Sequence, residues 1–365
     1  MVHIQDIFKY MDIEGKIDYS KLNHKQKKAL RNIIECKTEV MGFNTDTCEC
    51  CGHTEIHYHS CKNPNCPECG AVDKEIWIHK QERFTLNVNY FHVVFTIPNE
   101  LNILCLMDPK FMYKALFDVS AETIKELSKD KKYLGAKIGF TSVLHTWGQN
   151  LSLHPHIHMI VPGGGIDSNG KWKNSKKKFF LPVKVVSKLF KGKFLSYTKK
   201  NFDQRKIKDE EQFQNIINTC YSKDWVVYTK KPMKSAKHVV KYLGRYTHRI
   251  AISNARIKKY EDNKVTFSYK DYSDHNQIKE MTLDDTEFFR RYMMHVLPPN
   301  FMKIRHYGFL GNRNKEERIK AVRTATNTKN PGPLLIDYEQ IISDILKRDV
   351  SICIKCGLKR HYQLE

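Results

Sequence analysis

The sequence predicts an α+β fold, an antiparallel sheet with helices preceded by a small zinc-binding domain. Three observations carry this. Strand-like and helix-like stretches mix without the regular alternation of a doubly wound parallel sheet. Two β-branched, aromatic stretches, KIGFTSVLHTWGQ and HPHIHMIVPGGG, lie a few residues apart, as in a hairpin. A cysteine-dense block, CECCGHTEIHYHSCKNPNCPECG, precedes both.

Residues 1–85 read as a first unit. Asn23 is placed to cap a helix over KQKKALRNIIECK, whose Ala29, Leu30, Ile33 and Ile34 share one face at helical spacing. The cysteine block has too little apolar content to fold by burial alone, so a metal must build it. Residues 86–310 form the main domain. YFHVVFTIP is a buried strand stopped by Pro98, and Pro109 to Ser128 is an amphipathic helix. The hairpin follows, then the basic stretch KWKNSKKKFFLPVKVVSKLFKGKF, in which Phe179 and Phe180 suit the core. Helical material spans roughly 201–222, WVVYTKKP is a strand, SAKHVVKYLGRYTHRI a helix and KVTFSYKDY a strand. Residues 311–365 read as a basic, polar tail with a short helix near Asp337–Lys347 and a terminal CxxC.

The chain has 365 residues and a net charge of +22, from 62 Lys and Arg against 40 Asp and Glu. Such an excess repels itself unless a polyanion shares it, which points to nucleic acid. No apolar run approaches the roughly 18 residues of a membrane helix, and the first residues do not form a signal peptide. A cytoplasmic protein is expected.

Eleven cysteines without a secretion signal favour thiolates on metal over disulfides. Chance predicts about 0.3 CxxC pairs for this composition. The chain has three, at Cys48/Cys51, Cys66/Cys69 and Cys353/Cys356, which decides for metal. Cys48, Cys51, Cys66 and Cys69 read as one tetrahedral zinc site, two CxxC pairs separated by fourteen residues. Cys36 and Cys61 could build a second site, or Cys61 could replace one of the four. Cys353 and Cys356 could form half of a zinc knuckle. Cys50 points away, and Cys105 and Cys220 are small core residues.

His156-Ile157-His158 puts two imidazoles on one face of a strand. The triplet alone is weak, because about 0.75 HxH are expected by chance. Gln149, if it stands opposite His156 on the neighbouring strand, supplies a third donor, and His145 is the second choice. Two imidazoles and an amide oxygen suit Mg²⁺ or Mn²⁺ acting on phosphate oxygens. Tyr242 and Tyr246 in YLGRY lie i, i+4 on one helix face, amid Lys241, Arg245, His248 and Arg249. Those cations, with Lys176, Lys177 and Lys178, could bind phosphates. Arg245 and His248 flank Tyr246, which favours ionisation of that phenol.

HPHIHMIVPGGG and YLGRYTHRIAISN resemble the HUH-type two-tyrosine rolling-circle transposases of the insertion-sequence family numbered ninety-one. The resemblance covers nearly the whole chain. YFHVVFTIPNELN, VLHTWGQNLSLHPHIH, WVVYTKKP, EFFRRYMMHVLPPNF and IRHYGFL are similar to family segments in the same order. HSCKNPNCPEC is similar to the family's zinc motif, although Pro64-Asn65 replace its usual Arg-His. The resemblance implies an HUH nuclease core and metal-dependent cleavage and joining of single-stranded DNA at hairpin-bearing element ends. The intermediates it implies are 5′-phosphotyrosines. By position, His156 and His158 would be metal ligands and Tyr242 and Tyr246 nucleophiles, in a bacterial, nucleoid-associated enzyme.

Three other readings compete. A plasmid relaxase or replication initiator would share the chemistry, but segment order and the zinc unit weigh against it. A metallohydrolase using HxH commonly needs a nearby Asp-His pair, whereas Met159, Ile160, Val161 and Pro162 follow here. A non-catalytic zinc nucleic-acid binder would leave the second half of the chain idle.

Overall fold

The computed structural model describes residues 2–176, 180–207, 209–229, 236–247, 249–272 and 274–359. Its centre is a five-stranded antiparallel sheet. The strand order is Ile304–Tyr307, Phe140–Trp147, Leu153–Pro162, Tyr90–Thr96 and Val227–Thr229. The strand carrying His156 and His158 is therefore the middle one, and the predicted hairpin is its pairing with Phe140–Trp147.

Strand alternation divides the two faces. Phe91, Val93 and Phe95 with Ile157, Met159 and Val161 point into the main core, under the helices Pro109–Lys129 and Val183–Asn201. The second of these helices occupies the stretch read from sequence only as basic. Its lysines face outward, while Val186, Phe190, Phe194 and Leu195 are buried. Phe180 joins the same core, and Phe179 lies outside the described residues.

The other face carries His92, His145, His156 and His158, and the helix Ala236–Thr247 lies over it. Gly244 lets that helix approach the helix Ala71–Glu82 of the zinc unit. A Cβ there would stand 2.6 Å from Ile78 Cγ1. Trp77, Tyr90, Ile160, Val239 and Tyr242 make a small apolar cluster at this junction.

The helix His24–Glu35 forms as expected, and a further helix, Ile4–Ile13, precedes it. Asn23 Oδ1 accepts from the backbone N–H groups of Lys25 and Gln26, and Gln26 Oε1 accepts from that of Asn23. The helices share one core with Trp147, Leu151 and the segment 251–296. That segment holds a three-stranded meander, Ile257–Glu261, Lys264–Asp271 and Gln277–Asp284, and the helix Asp285–Met294. The polar stretch after residue 310 includes the helix Lys315–Ala325, which buries Ile319 and Val322 against Phe309 and Leu310. The helix Tyr338–Leu346 then packs against Ala71–Glu82 and returns the chain to its N-terminal unit. No helix among the described residues is long and apolar enough to cross a membrane.

Candidate active site and metal centres

The six thiols of the CxxC pairs, with Cys36 and Cys61, form two tetrads, grouped differently from the sequence reading. Cys36, Cys61, Cys66 and Cys69 make one, and Cys48, Cys51, Cys353 and Cys356 the other, each with sulfurs within 4.8 Å of one another. The single site over Cys48, Cys51, Cys66 and Cys69 is thus corrected. The hairpin Phe43–Thr47/Thr54–Tyr58 carries Cys48 and Cys51 away from Cys66 and towards the C-terminal segment. There Cys48 Sγ is 3.7 Å from Cys356 Sγ, Cys51 Sγ is 3.8 Å from Cys353 Sγ, and Arg348 pairs with Glu55 at 3.3 Å. Cys36 ends the helix His24–Glu35, and its sulfur accepts from the Cys61 backbone N–H. Cys50 is exposed, and Cys105 and Cys220 are buried.

Hydrogen bonds from Cys61, Cys66 and Cys69 hold the Cys36 thiol well below its ordinary pKa, whereas its closeness pushes Cys66 far up. Four thiolates this close repel one another unless a dication neutralises them, and a four-sulfur tetrahedron is zinc's preferred structural set. Both groups fit that ion.

On the sheet face, His145, His156 and His158 bring their ring nitrogens within 4.8 Å of one another, and all three are buried. The register explains why His145 takes this place. It stands directly opposite His156, and Val143 opposite His158. The expected pairing of Gln149 with His156 is corrected. A bulge between His145 and Trp147 leads into the turn Gly148–Ser152, closed by Gly148 N–H on the Ser152 carbonyl at 2.9 Å. Leu151 takes a left-handed φ of 61° there and is buried. Gln149 lies in this turn, and its Nε2 donates to Tyr272 Oη at 3.2 Å.

The outer nitrogens set the direction of the lone pairs. His156 Nδ1–H donates to the His154 carbonyl at 2.6 Å, and His145 Nε2–H to the Tyr246 carbonyl at 2.7 Å. Their other nitrogens are then bare and turn inward, which is how imidazoles hold a cation. Burial keeps the rings neutral. It lowers the His156 pKa to about 4 and those of His145 and His158 well below the usual value, with neighbouring charges adding to the effect. Three nitrogen donors shift the fitting ion from Mg²⁺ towards Mn²⁺ or a later transition metal.

Tyr242 and Tyr246 join this cluster. Tyr246 Oη donates to Tyr242 Oη at 2.9 Å, and Tyr242 Oη is 3.0 Å from His92 Nδ1. His92 Nε2 is in turn 2.9 Å from His158 Nδ1. The Tyr246 ring packs on His158 with centroids 4.1 Å apart. The sequence reading passed over His92 as part of an apolar strand. A histidine inside YFHVVFTIP was the available signal.

Among the cations, Arg249 is half-buried and lines a cavity of about 80 Å³ with Lys25, Trp147 and Lys303. Burial, then the charge of Arg249, lowers the Lys303 pKa to about 7. Lys176 is exposed. Lys177, Lys178 and His248 lie outside the described residues, as do the side chains of Lys241 and Arg245.

Comparison with known proteins agrees with this architecture. A family described as "Putative transposase" matches residues 139–318, and one described as "Transposase zinc-binding domain" matches residues 8–97. The chain is 36% identical to "Putative transposase y4qJ" of Sinorhizobium fredii, over 97% of this chain and 92% of that one. It is 28% identical to the "Transposase for insertion sequence element IS801" of Pseudomonas savastanoi pv. phaseolicola, over 90% of this chain and 81% of that one. No solved structure matches. Zinc-binding and transposase regions follow in order, with similarity along nearly the full length, and the chain belongs to the IS91 family of transposases.

Proposed function

We propose that this transposase cleaves and rejoins single-stranded DNA at insertion-sequence ends through 5′-phosphotyrosine intermediates, in rolling-circle transposition. The observation that carries the reading is the hydrogen-bonded row Tyr246–Tyr242–His92–His158 beside the imidazoles of His145 and His156. Two phenols at one buried imidazole cluster suit two successive transesterifications.

His145, His156 and His158 would hold the divalent cation, Mn²⁺ in preference to Mg²⁺. When bound it supplies charge stabilisation at the scissile phosphate. A tyrosine Oη attacks phosphorus, the bond to the 3′ oxygen breaks, and that oxygen leaves as a 3′-hydroxyl after taking up a proton. The enzyme keeps the 5′ end as a phosphotyrosine. Attack by another 3′-hydroxyl reverses the step and joins strands. Two tyrosines let a second strand be cut before the first end is released. Arg249 and Lys176, with Lys177, Lys178, Lys241, Arg245 and His248, would contact phosphates, and the zinc-bound unit would help grip the DNA end.

The reading is tested with single-stranded DNA from the element's end, labelled on the 3′ side of the cleavage point, plus Mn²⁺. Label that stays with denatured protein, with release of a fragment bearing a free 3′-hydroxyl, is expected. Cleavage without covalent label would point to hydrolysis by activated water and exclude the tyrosines.

A further inference from the structure

The cavity of about 80 Å³ lies where the zinc unit meets the catalytic sheet. Its walls come from Lys25 and the loop residues Pro64 and Asn65, from Leu144 and Trp147 of the sheet, and from the segments 249–251 and 292–303. Three lining side chains are cations, Lys25, Arg249 and Lys303, and none is an acid. Among the described residues none of the three makes an ion pair. Lys25 Nζ donates to the Pro298 carbonyl at 3.2 Å and Lys303 Nζ to the Arg249 carbonyl at 2.7 Å, both neutral acceptors. Lys303 Nζ also stands 5.1 Å from the centre of the Trp147 ring.

Much of the remaining wall is apolar, through Leu144, Trp147, Leu297 and Phe301. Charges in such surroundings are poorly screened, and like charges without a counter-ion destabilise the fold. An anion seated among the three cations would offset that. The cavity volume equals on the order of two or three waters at ~30 Å³ each. It accommodates a phosphate group and excludes a nucleobase. Trp147 joins the cavity to the histidine cluster. Its ring lines the cavity and stacks on His145, with centroids 4.7 Å apart and planes 17° from parallel. Arg249 follows Tyr246 closely in the chain. Tyr292 Oη donates to the Asn65 carbonyl at 2.5 Å, which holds the loop before Cys66 against the helix Asp285–Met294.

We propose that this cavity binds one phosphate of the DNA strand, next to the scissile one, and that Lys25 thereby makes the zinc unit part of the grip on the reacting strand. The proposal rests on the strand-cleavage reading above for the source of the phosphate. Lys25, Arg249 and Lys303 share one oxyanion instead of each meeting a separate phosphate, because they line a single space of that size. Three cationic donors on one tetrahedral anion give charge-assisted hydrogen bonds from several directions. The stack of Trp147 on His145 sets the held phosphate beside the imidazoles that face the scissile group.

The test uses the full, zinc-loaded protein and single-stranded element-end DNA without Mn²⁺ or Mg²⁺, so that binding is read with no strand cut. Neutral methylphosphonates replace one phosphate at a time. In the wild type the position next to the scissile phosphate should lose about tenfold in affinity, as expected for a charge-assisted contact. In Lys25→Gln/Lys303→Gln the loss at that position should shrink to about threefold or less, since most of the charge-assisted contact is gone. The salt slope of the double variant should fall by no more than about 0.7, the value for one phosphate on a single strand. Inorganic phosphate alone should shift the indole N–H signal of Trp147, assigned with Trp147→Phe, in the wild type and not in the double variant. No sensitive position next to the scissile phosphate in the wild type, equal sensitivity in the double variant, or a slope loss near 1.4, meaning about two separate phosphates, would overturn the proposal. A response to inorganic phosphate without a sensitive DNA position would overturn the assignment to DNA. The wild-type scan needs no variant to fold, and zinc content checks the double variant. Covalent adduct with Mn²⁺ is read separately. Its absence with the methylphosphonate pattern intact would overturn the transesterification reading and leave the phosphate subsite standing.

Discussion

Cys48 Sγ and Cys356 Sγ lie 3.7 Å apart although 308 residues separate them in sequence. The thiols thus close the chain on itself, and the C-terminal segment completes a four-thiol group begun by Cys48 and Cys51 that could hold a metal ion.

Zinc stoichiometry checks this grouping. The wild type should carry two zinc ions, one for each tetrad. Cys48→Ser and Cys353→Ser should each lose one, and the double variant no more than either alone. Cys66→Ser should lose the other ion, so that Cys48→Ser/Cys66→Ser carries none. Loss of the same single ion by Cys48→Ser and Cys66→Ser would restore the grouping expected from spacing. Structural zinc contributes of order 10 kcal/mol or more to such units, so chelation should markedly lower the unfolding temperature.

The metal on the sheet face is tested by comparing His145→Ala with Gln149→Ala. His145 stands opposite His156, whereas Gln149 bonds to Tyr272 in the turn. His145→Ala should weaken Mn²⁺ binding by at least about 100-fold, since even outer-shell partners cost about 10–100-fold. Gln149→Ala should change it little. Calorimetric titration with Mn²⁺ and Mg²⁺ measures both, with Mn²⁺ the tighter ion.

These two centres show what the sequence could and could not carry. Strands, helices and the hairpin were legible from apolar periodicity, and the Asn23 cap from local chemistry. Every thiol in the tetrads was recognised as a metal candidate. Their grouping was not, because CxxC spacing fixes pairs and only the tertiary path fixes which pairs meet. His145 lost first place to Gln149 because hairpin register depends on the turn, and a bulge that sets His154 and Pro155 against the single residue Thr146 is invisible to alternation. His92 was hidden by its apolar neighbours, and the helix Val183–Asn201 by its lysines, which cover the apolar face that builds the core.

Gly244 should be a positional requirement of the tyrosine helix. Alanine raises intrinsic helix stability by about 1 kcal/mol, yet its Cβ would press on Ile78. Gly244→Ala should therefore lower the cleavage rate by about tenfold or more without unfolding the protein. Adding Ile78→Ala should restore much of it, a coupling that a double-mutant cycle quantifies. Equal activity of Gly244→Ala and wild type would show that the helix position is not critical.

Acid should destabilise the protein partly through His295. It is buried, with Nε2–H donating to the Leu151 carbonyl at 3.1 Å and Nδ1 accepting from Thr146. Burial lowers its pKa to about 4 from the ordinary histidine value of about 6.5. The unfolded chain takes up this proton below about pH 6.5, and the native protein only near pH 4. Stability from this group is therefore complete above pH 6.5 and lost as pH falls towards 4, by about 3 kcal/mol at most. Urea midpoints at pH 7.5 and 4.5 should differ less in His295→Asn than in the wild type, even though the variant is weaker at pH 7.5.

In the proposed reaction the tyrosine pair Tyr242 and Tyr246 supplies the nucleophile. The most direct measurement is a denaturing gel of protein incubated with labelled single-stranded element-end DNA and Mn²⁺, for wild type, Tyr242→Phe, Tyr246→Phe and the double variant. Each single variant should retain some covalent adduct, and the double variant none. Adduct in the double variant would place the nucleophile elsewhere and contradict the site described here.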